Sequence, residues 1–257
     1  MKFAEQRAAF VTILRKEILR FMRIWVQTVL PAGIIMTLYF VIFGKLIGSQ
    51  LADIRGLSYM DYIVPGIIIM AIMNNSYANV VSSFYSAKFQ RHVEEMLVSP
   101  MPGYLIVAGY VAGGIARGTV VGLVVTAVAM FFTDLQVHVW WVACLVVFLT
   151  SLLFALGGFI NAVYANSFDD ISIVPTFVLT PLTYLGGVFY SIDLLPDFWQ
   201  KVSLGNPILY MVNAFRYGMT GVSDVDLLVA FGIIISFVVA LYAFAIYLLR
   251  SGTGIRS

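Results

Sequence analysis

The sequence predicts an all-α polytopic membrane protein with six transmembrane helices, and three observations predict it. Hydrophobic residues make up 61% of the 257 positions and charged residues only 11%, with a mean hydropathy of +0.96, a balance that places the chain in a bilayer. Six predominantly apolar runs reach the roughly 20 residues needed to cross about 30 Å of hydrocarbon: 25–47, 62–85, 112–132, 139–163, 171–189 and 227–249. Lysine and arginine collect at alternate ends of these runs, as the positive-inside rule requires of a multi-pass chain.

The first element precedes the spans. On a helical wheel Phe10, Ile13, Leu14, Ile18, Phe21, Ile24 and Trp25 share one half, and Thr12, Arg15, Lys16, Arg20 and Arg23 the other. A basic amphipathic helix of this kind lies in the membrane interface, so residues 1–24 are expected to form an interfacial helix. Its apolar residues are interrupted every few positions, which argues against a cleavable signal peptide.

The basic residues orient the spans. Lys2, Arg7, Arg15, Lys16, Arg20 and Arg23 precede the first, Lys88 and Arg91 lie between the second and third, and Arg250 and Arg256 follow the sixth. With six crossings all of these fall on one side, giving cytoplasmic N- and C-termini. The other side receives Arg55, Lys201, Arg216 and seven aspartates, with Lys45 near the end of the first span. A net charge of +2 is too small to indicate nucleic acid as a partner.

Between the second and third spans, "SAKFQRHVEEMLVSPMPGY" carries a charged turn, then the apolar Met96, Leu97 and Val98, then Pro100 and Pro102, which stop any helix. A plain turn needs only a few residues. Residues 87–103 therefore stand equally as a turn or as a docking surface for a soluble partner.

Within the spans, Asn74, Asn75, Asn79, Thr126, Asn161, Thr176, Thr180 and Thr183 require partners, either across helices or along a substrate path; Asn74, Asn75, Asn79 and Thr180 are the path candidates. Arg117 is read as snorkelling to the cytoplasmic headgroups, about five residues inside the boundary. The lone Cys144 is read as a buried packing residue. No catalytic or metal-binding cluster emerges. His92 and His138 have no partner at ligand spacing, Asp169 and Asp170 suit a helix cap, and HExxH, GxSxG and CxxC are absent. GxxxxGK[ST] is absent too, so any ATP and Mg are expected on another chain, with no cofactor on this one.

Before the last span lies "LGNPILYMVNAFRYGMTG". Asn206 and Pro207 form a helix start and Gly221 a C-terminal cap, enclosing a helix of about 21 Å, too short to cross. The segment 191–223 is entered and left from the outer side, so parity favours a re-entrant helical hairpin, with the aromatic residues and Arg216 near the outer headgroups. It serves either as a structural plug or as an outer gate, whose residues are Asn206, Pro207, Tyr210, Arg216 and Gly221.

In the order of its parts, and in "EEMLVSPMP", "YLGGVFY" and "NPILYMVNAFRYGMTG", the chain resembles the ABC-2 type permease family, the membrane subunits of ATP-binding-cassette exporters. The resemblance implies a permease subunit of an exporter in a bacterial inner (cytoplasmic) membrane, working as a homodimer with two copies of a separate ABC ATPase whose ATP-driven closure rocks the two permeases. It also implies a cytoplasmic coupling helix that docks on the ATPase, falling here on Phe89, Arg91, Glu94, Glu95, Met96, Leu97 and Pro100. It places a re-entrant hairpin between spans five and six, and says nothing about substrate. The competing class is a secondary transporter or membrane-embedded enzyme acting without an ATPase, which would need ionisable groups or broken helices at mid-membrane, or a reactive cluster.

Overall fold

The computed structural model describes residues 3–254; Lys2 and Arg256, counted in the charge asymmetry, lie outside them. Among the described residues there is no strand, only an isolated bridge between Ile54 and Leu57. The helices are α1 (Phe3–Arg23), α2 (Trp25–Gln50), α3 (Tyr59–Phe89), α4 (His92–Val98), α5 (Gly103–Ala129), α6 (Trp140–Tyr164), α7 (170–184), α8 (Asp197–Leu204), α9 (Pro207–Thr220) and α10 (Leu227–Ser251). Five of them, α2, α3, α5, α6 and α10, are long and apolar enough to cross a membrane.

The expected fifth crossing is different. Instead of one helix over 171–189, α7 is assembled from three five-residue pieces, Asp170–Val174, a π-helical Pro175–Leu179 and Thr180–Tyr184. At 1.5 Å per residue it covers about 22 Å, short of the roughly 30 Å of hydrocarbon. Pro175 and Pro181 supply the reason, since each removes a backbone donor and its ring disfavours the regular ladder. The chain then leaves the helix at Gly187, whose φ of +68° favours glycine.

α3 is the axis of the bundle. It is apolar around nearly its whole circumference, and a helix of that kind is stable only when enclosed; it packs mainly against α5 and α6. Small residues let the neighbours approach: a Cβ at Gly118 of α5 would overlap the Ser76 hydroxyl, and one at Gly158 of α6 would lie 2.6 Å from the Tyr77 carbonyl oxygen. α2 and α10 stand at the periphery, with long apolar side chains directed outward.

α1 lies along α5 and buries Ile13, Glu17 and Phe21, spaced four apart on one face. Glu17 is fully enclosed; its Oε1 accepts from the Ser83 hydroxyl at 2.5 Å, and Arg20 Nε stands 3.5 Å from Oε2. The helix is thus fastened by a carboxylate inside its buried stripe as well as by apolar residues. Cys144 corrects another expectation: it is exposed, on the outward side of α6, because its neighbours Val142 and Ala143 take the buried face.

The connections gather at two ends of the bundle. At one end the Lys88 ammonium donates to the carbonyls of Val163 (2.6 Å) and Ala165 (2.8 Å), and Phe168 packs on Tyr85 and Phe89. There Asp170 accepts from the Ser167 hydroxyl and from the Asn166 and Ser167 amides; the Ser167 bond first, then the Asn166 amide, hold its carboxyl below the usual range. At the other end the 51–58, 130–139 and 185–226 segments meet.

Candidate functional site

Three regions carry the residues singled out by sequence. The first is α4, between the two long helices α3 and α5. Arg91 adopts a left-handed conformation (φ 61°) that turns the chain sharply into the helix. Val93 is the buried foot; Glu94, Glu95 and Pro100 are exposed, and Met96 and Leu97 are half-buried against the core. Phe89 is 66% exposed and stacks beside Phe168. Val98 projects fully, at 88% exposure, which sequence reading passed over in favour of Leu97. An acidic pair beside a bare aliphatic tip makes a compact contact surface.

The second is a groove of about 380 Å³ between α2, α3, α5 and α7. Asn74, Asn75 and Thr180 all line it, together with Gln27, Thr28 and Arg117; Pro31, Ile35, Met36 and Met70 form apolar walls. Asn79 does not belong there. It is fully buried, and Arg20 donates at 2.8 Å both to its side-chain oxygen and to its backbone carbonyl, so it ties α1 to α3. Four residues beyond Asn75 and on nearly the same face of α3, it sits at the level that Arg20 of α1 covers.

Arg117 is half-buried on α5. It sits about 21 Å along α5 from Gly103 and about 18 Å from Ala129, near the helix middle. Its Nη2 donates to Asn75 Oδ1 at 3.0 Å, and Asn75 is itself mid-way along α3. α5 runs for 27 residues from Gly103, about 40 Å and longer than a crossing needs, so the middle of the helix is not by itself the middle of the bilayer.

The third region is the far end of the bundle. Asn206 caps α9 by accepting from the Ile208 amide (3.0 Å) and donates to the Leu182 carbonyl (2.6 Å); Pro207 opens the helix and Gly221 (φ 79°) closes it. The Tyr210 hydroxyl donates to the Leu204 carbonyl at 2.7 Å, holding α8 to α9. Arg216 was expected at the headgroups but is fully buried. Its Nε donates to the Tyr62 carbonyl (3.1 Å), Nη2 to the Gly187 carbonyl (2.7 Å) and Nη1 to Asn213 Oδ1 (3.2 Å), with Asp224 4.0 Å away. Asp224 also accepts from the Tyr62 hydroxyl at 2.8 Å and faces Arg55 Nε at 3.2 Å. Arg55 continues to Asp193 at 2.5 Å, and that bond, before the nearby Asp224 charge, raises its already high pKa. No local signal in sequence joins residues as far apart in the chain as Arg55 and Asp224, 169 positions.

Among the described residues no group of three or more His, Cys, Asp or Glu side chains could hold a metal ion. The arrangement offers an exposed tip, a polar groove and a clasp joining the far connections.

The profile of ABC-2 type transporters matches residues 8–220. The chain belongs to the ABC-2 type transporter family. This ABC-2 chain is 57% identical, over 97% of its own length and 97% of the relative's, to the inner membrane transport permease YadH of Escherichia coli K12, and equally to that of Shigella flexneri. It is 24% identical over 80% of each chain to nodulation protein J of Rhizobium leguminosarum bv. viciae. The family resemblance carried by "EEMLVSPMP" and "NPILYMVNAFRYGMTG" is thereby borne out.

Proposed function

We propose that this chain is the permease subunit of an ABC exporter of the inner membrane, forming the substrate pathway and driven by a separate ATPase that carries the ATP and Mg. Two permease copies and two ATPase copies form the working assembly. The N- and C-termini face the cytoplasm, α1 lies in the interface, and 171–189 completes a sixth crossing whose final residues are not helical. The α8–α9 pair re-enters from the outer side and gates the groove.

The observation that carries this reading is α4. α3, at 31 residues, is about 46 Å long, some 16 Å more than the hydrocarbon requires, so its end projects into water and presents Glu94, Glu95 and Val98 there. A surface of that kind at the tip of the most enclosed helix suits mechanical coupling to an external motor. Arg117, a cation on a spanning helix, and the broken α7 are the features that favour a secondary transporter; without an acidic partner among the described residues Arg117 offers no carboxylate to carry a coupling ion.

The test is co-expression with a Walker A-bearing ATPase, followed by co-purification and transport in liposomes. ATP-dependent transport only in the presence of that partner is expected; transport by the permease alone sinks the exporter reading.

A further inference from the structure

The groove contains a cation with no anion. Arg117 makes one hydrogen bond, to Asn75, its Nε is buried with no hydrogen-bond partner, and no salt bridge reaches it among the described residues. No Asp or Glu lines the groove. The charged group that acts on Arg117 is another cation, Arg20, itself engaged with Glu17 and Asn79. A guanidinium on a spanning helix, with its Nε buried and no counter-charge, is costly, and such residues mark ligand sites.

The groove supplies further donors. The Gln27 and Asn74 amides are exposed and have no hydrogen-bond partner among the described residues. With the free guanidinium nitrogens they outnumber the two oxygens of a carboxylate and suit the oxygens of a phosphate. Ile35, Met36 and Met70 provide an apolar wall beside them, which suits an alkyl chain. We propose that this groove binds a phosphate-bearing amphiphile, with Arg117 as the cationic partner of its headgroup.

The headgroup belongs either to a bilayer phospholipid or to a free amphiphile that is cargo. The inference rests on the transport reading only for the claim that the anion is cargo, since binding is measured with no ATPase present. The full-length chain in dodecyl maltoside is titrated calorimetrically with dodecyl phosphate against zwitterionic dodecylphosphocholine, and with short-chain phosphatidylglycerol against short-chain phosphatidylcholine. An anion preference of about tenfold or more in at least one pair is expected, and the pair that shows it identifies the source. Arg117→Gln removes the preference and Arg117→Lys keeps part of it. Asn75→Asp places a carboxylate against Arg117, which keeps the charge paired and the helices joined; it too removes the preference, so the outcome does not depend on the folding of one variant. No anion preference in the wild type, or the same preference in Arg117→Gln and Asn75→Asp, overturns the proposal. Transport without anion preference overturns it alone; anion binding without ATPase-driven transport supports it and removes the transport reading.

Discussion

Arg216 and Tyr62 are joined twice. The guanidinium carbon lies 3.8 Å from the centre of the Tyr62 ring, and Nε of the same group donates to the Tyr62 carbonyl at 3.1 Å. The planar cation is sandwiched between an aromatic face and a ring of carbonyl acceptors, while the Tyr62 hydroxyl reaches past it to Asp224 at 2.8 Å. α9 is thereby fixed to the start of α3 in a fully enclosed setting, where such contacts are stronger than in water.

Removing that cation is expected to destabilise the protein severely. Arg216→Ala leaves the Tyr62 and Gly187 carbonyls without this donor and removes the buried cation 4.0 Å from Asp224, a loss of about 3–5 kcal/mol, equivalent to a fall in Tm of about 10 °C or more. Arg216→Lys recovers little, because an ammonium lacks the planar fork. Tyr62→Phe costs less, about 1–2 kcal/mol, as Asp224 keeps Arg55. Thermal unfolding of the purified variants ranks them, and a wild-type Tm for Arg216→Ala would refute the clasp.

The docking tip is checked by coupling. Glu94→Lys with Glu95→Lys and Leu97→Asp should abolish substrate-stimulated ATPase activity of the reconstituted complex, and Val98→Asp alone should reduce it severalfold, because this exposed aliphatic tip has the most surface to bury against a partner. Unchanged stimulation in both variants would show that α4 is not the coupling surface. Tm measures the integrity of the fold separately.

A covalent lock addresses the gate. A Cβ built at Gly186 lies 3.2 Å from Ile208 Cβ, close to disulfide range, so Gly186→Cys with Ile208→Cys in a Cys144→Ser background should crosslink on oxidation. Export is expected to stop and to resume on reduction, while ATPase co-purification persists. Full export with the crosslink formed would leave the α8–α9 pair as a static plug.

Asp170 predicts a pH dependence. Its carboxyl is depressed from the ordinary 3.8 in the folded chain, so the contribution of the Ser167 and Asn166 bonds is fully present above that value. It is lost as pH falls through the lower folded pKa. Hydrogen exchange of amides 166–172 should therefore stay slow at neutral pH and lose protection below about pH 4, after correction for intrinsic rates, and Asp170→Asn should show that loss at neutral pH. Identical protection in wild type and Asp170→Asn would remove the role.

Hydropathy, charge asymmetry and cap chemistry are local properties, so the sequence by itself determined the membrane class, the long spans and the limits of α9 between Asn206 and Gly221. Family motifs were legible for the same reason, being contiguous. The tertiary structure alone decided what each polar residue faces. Asn75 and Asn79 differ by one helical turn, yet one lines the groove and the other is clamped by Arg20, because α1 meets α3 at the level of Asn79, Ser82 and Ser83. Arg216 became the centre of a buried clasp because Tyr62, Gly187 and Asp224, far apart in the chain, converge on it. Burial of a charge depends on partners brought from a distance, and only the packed bundle supplies them.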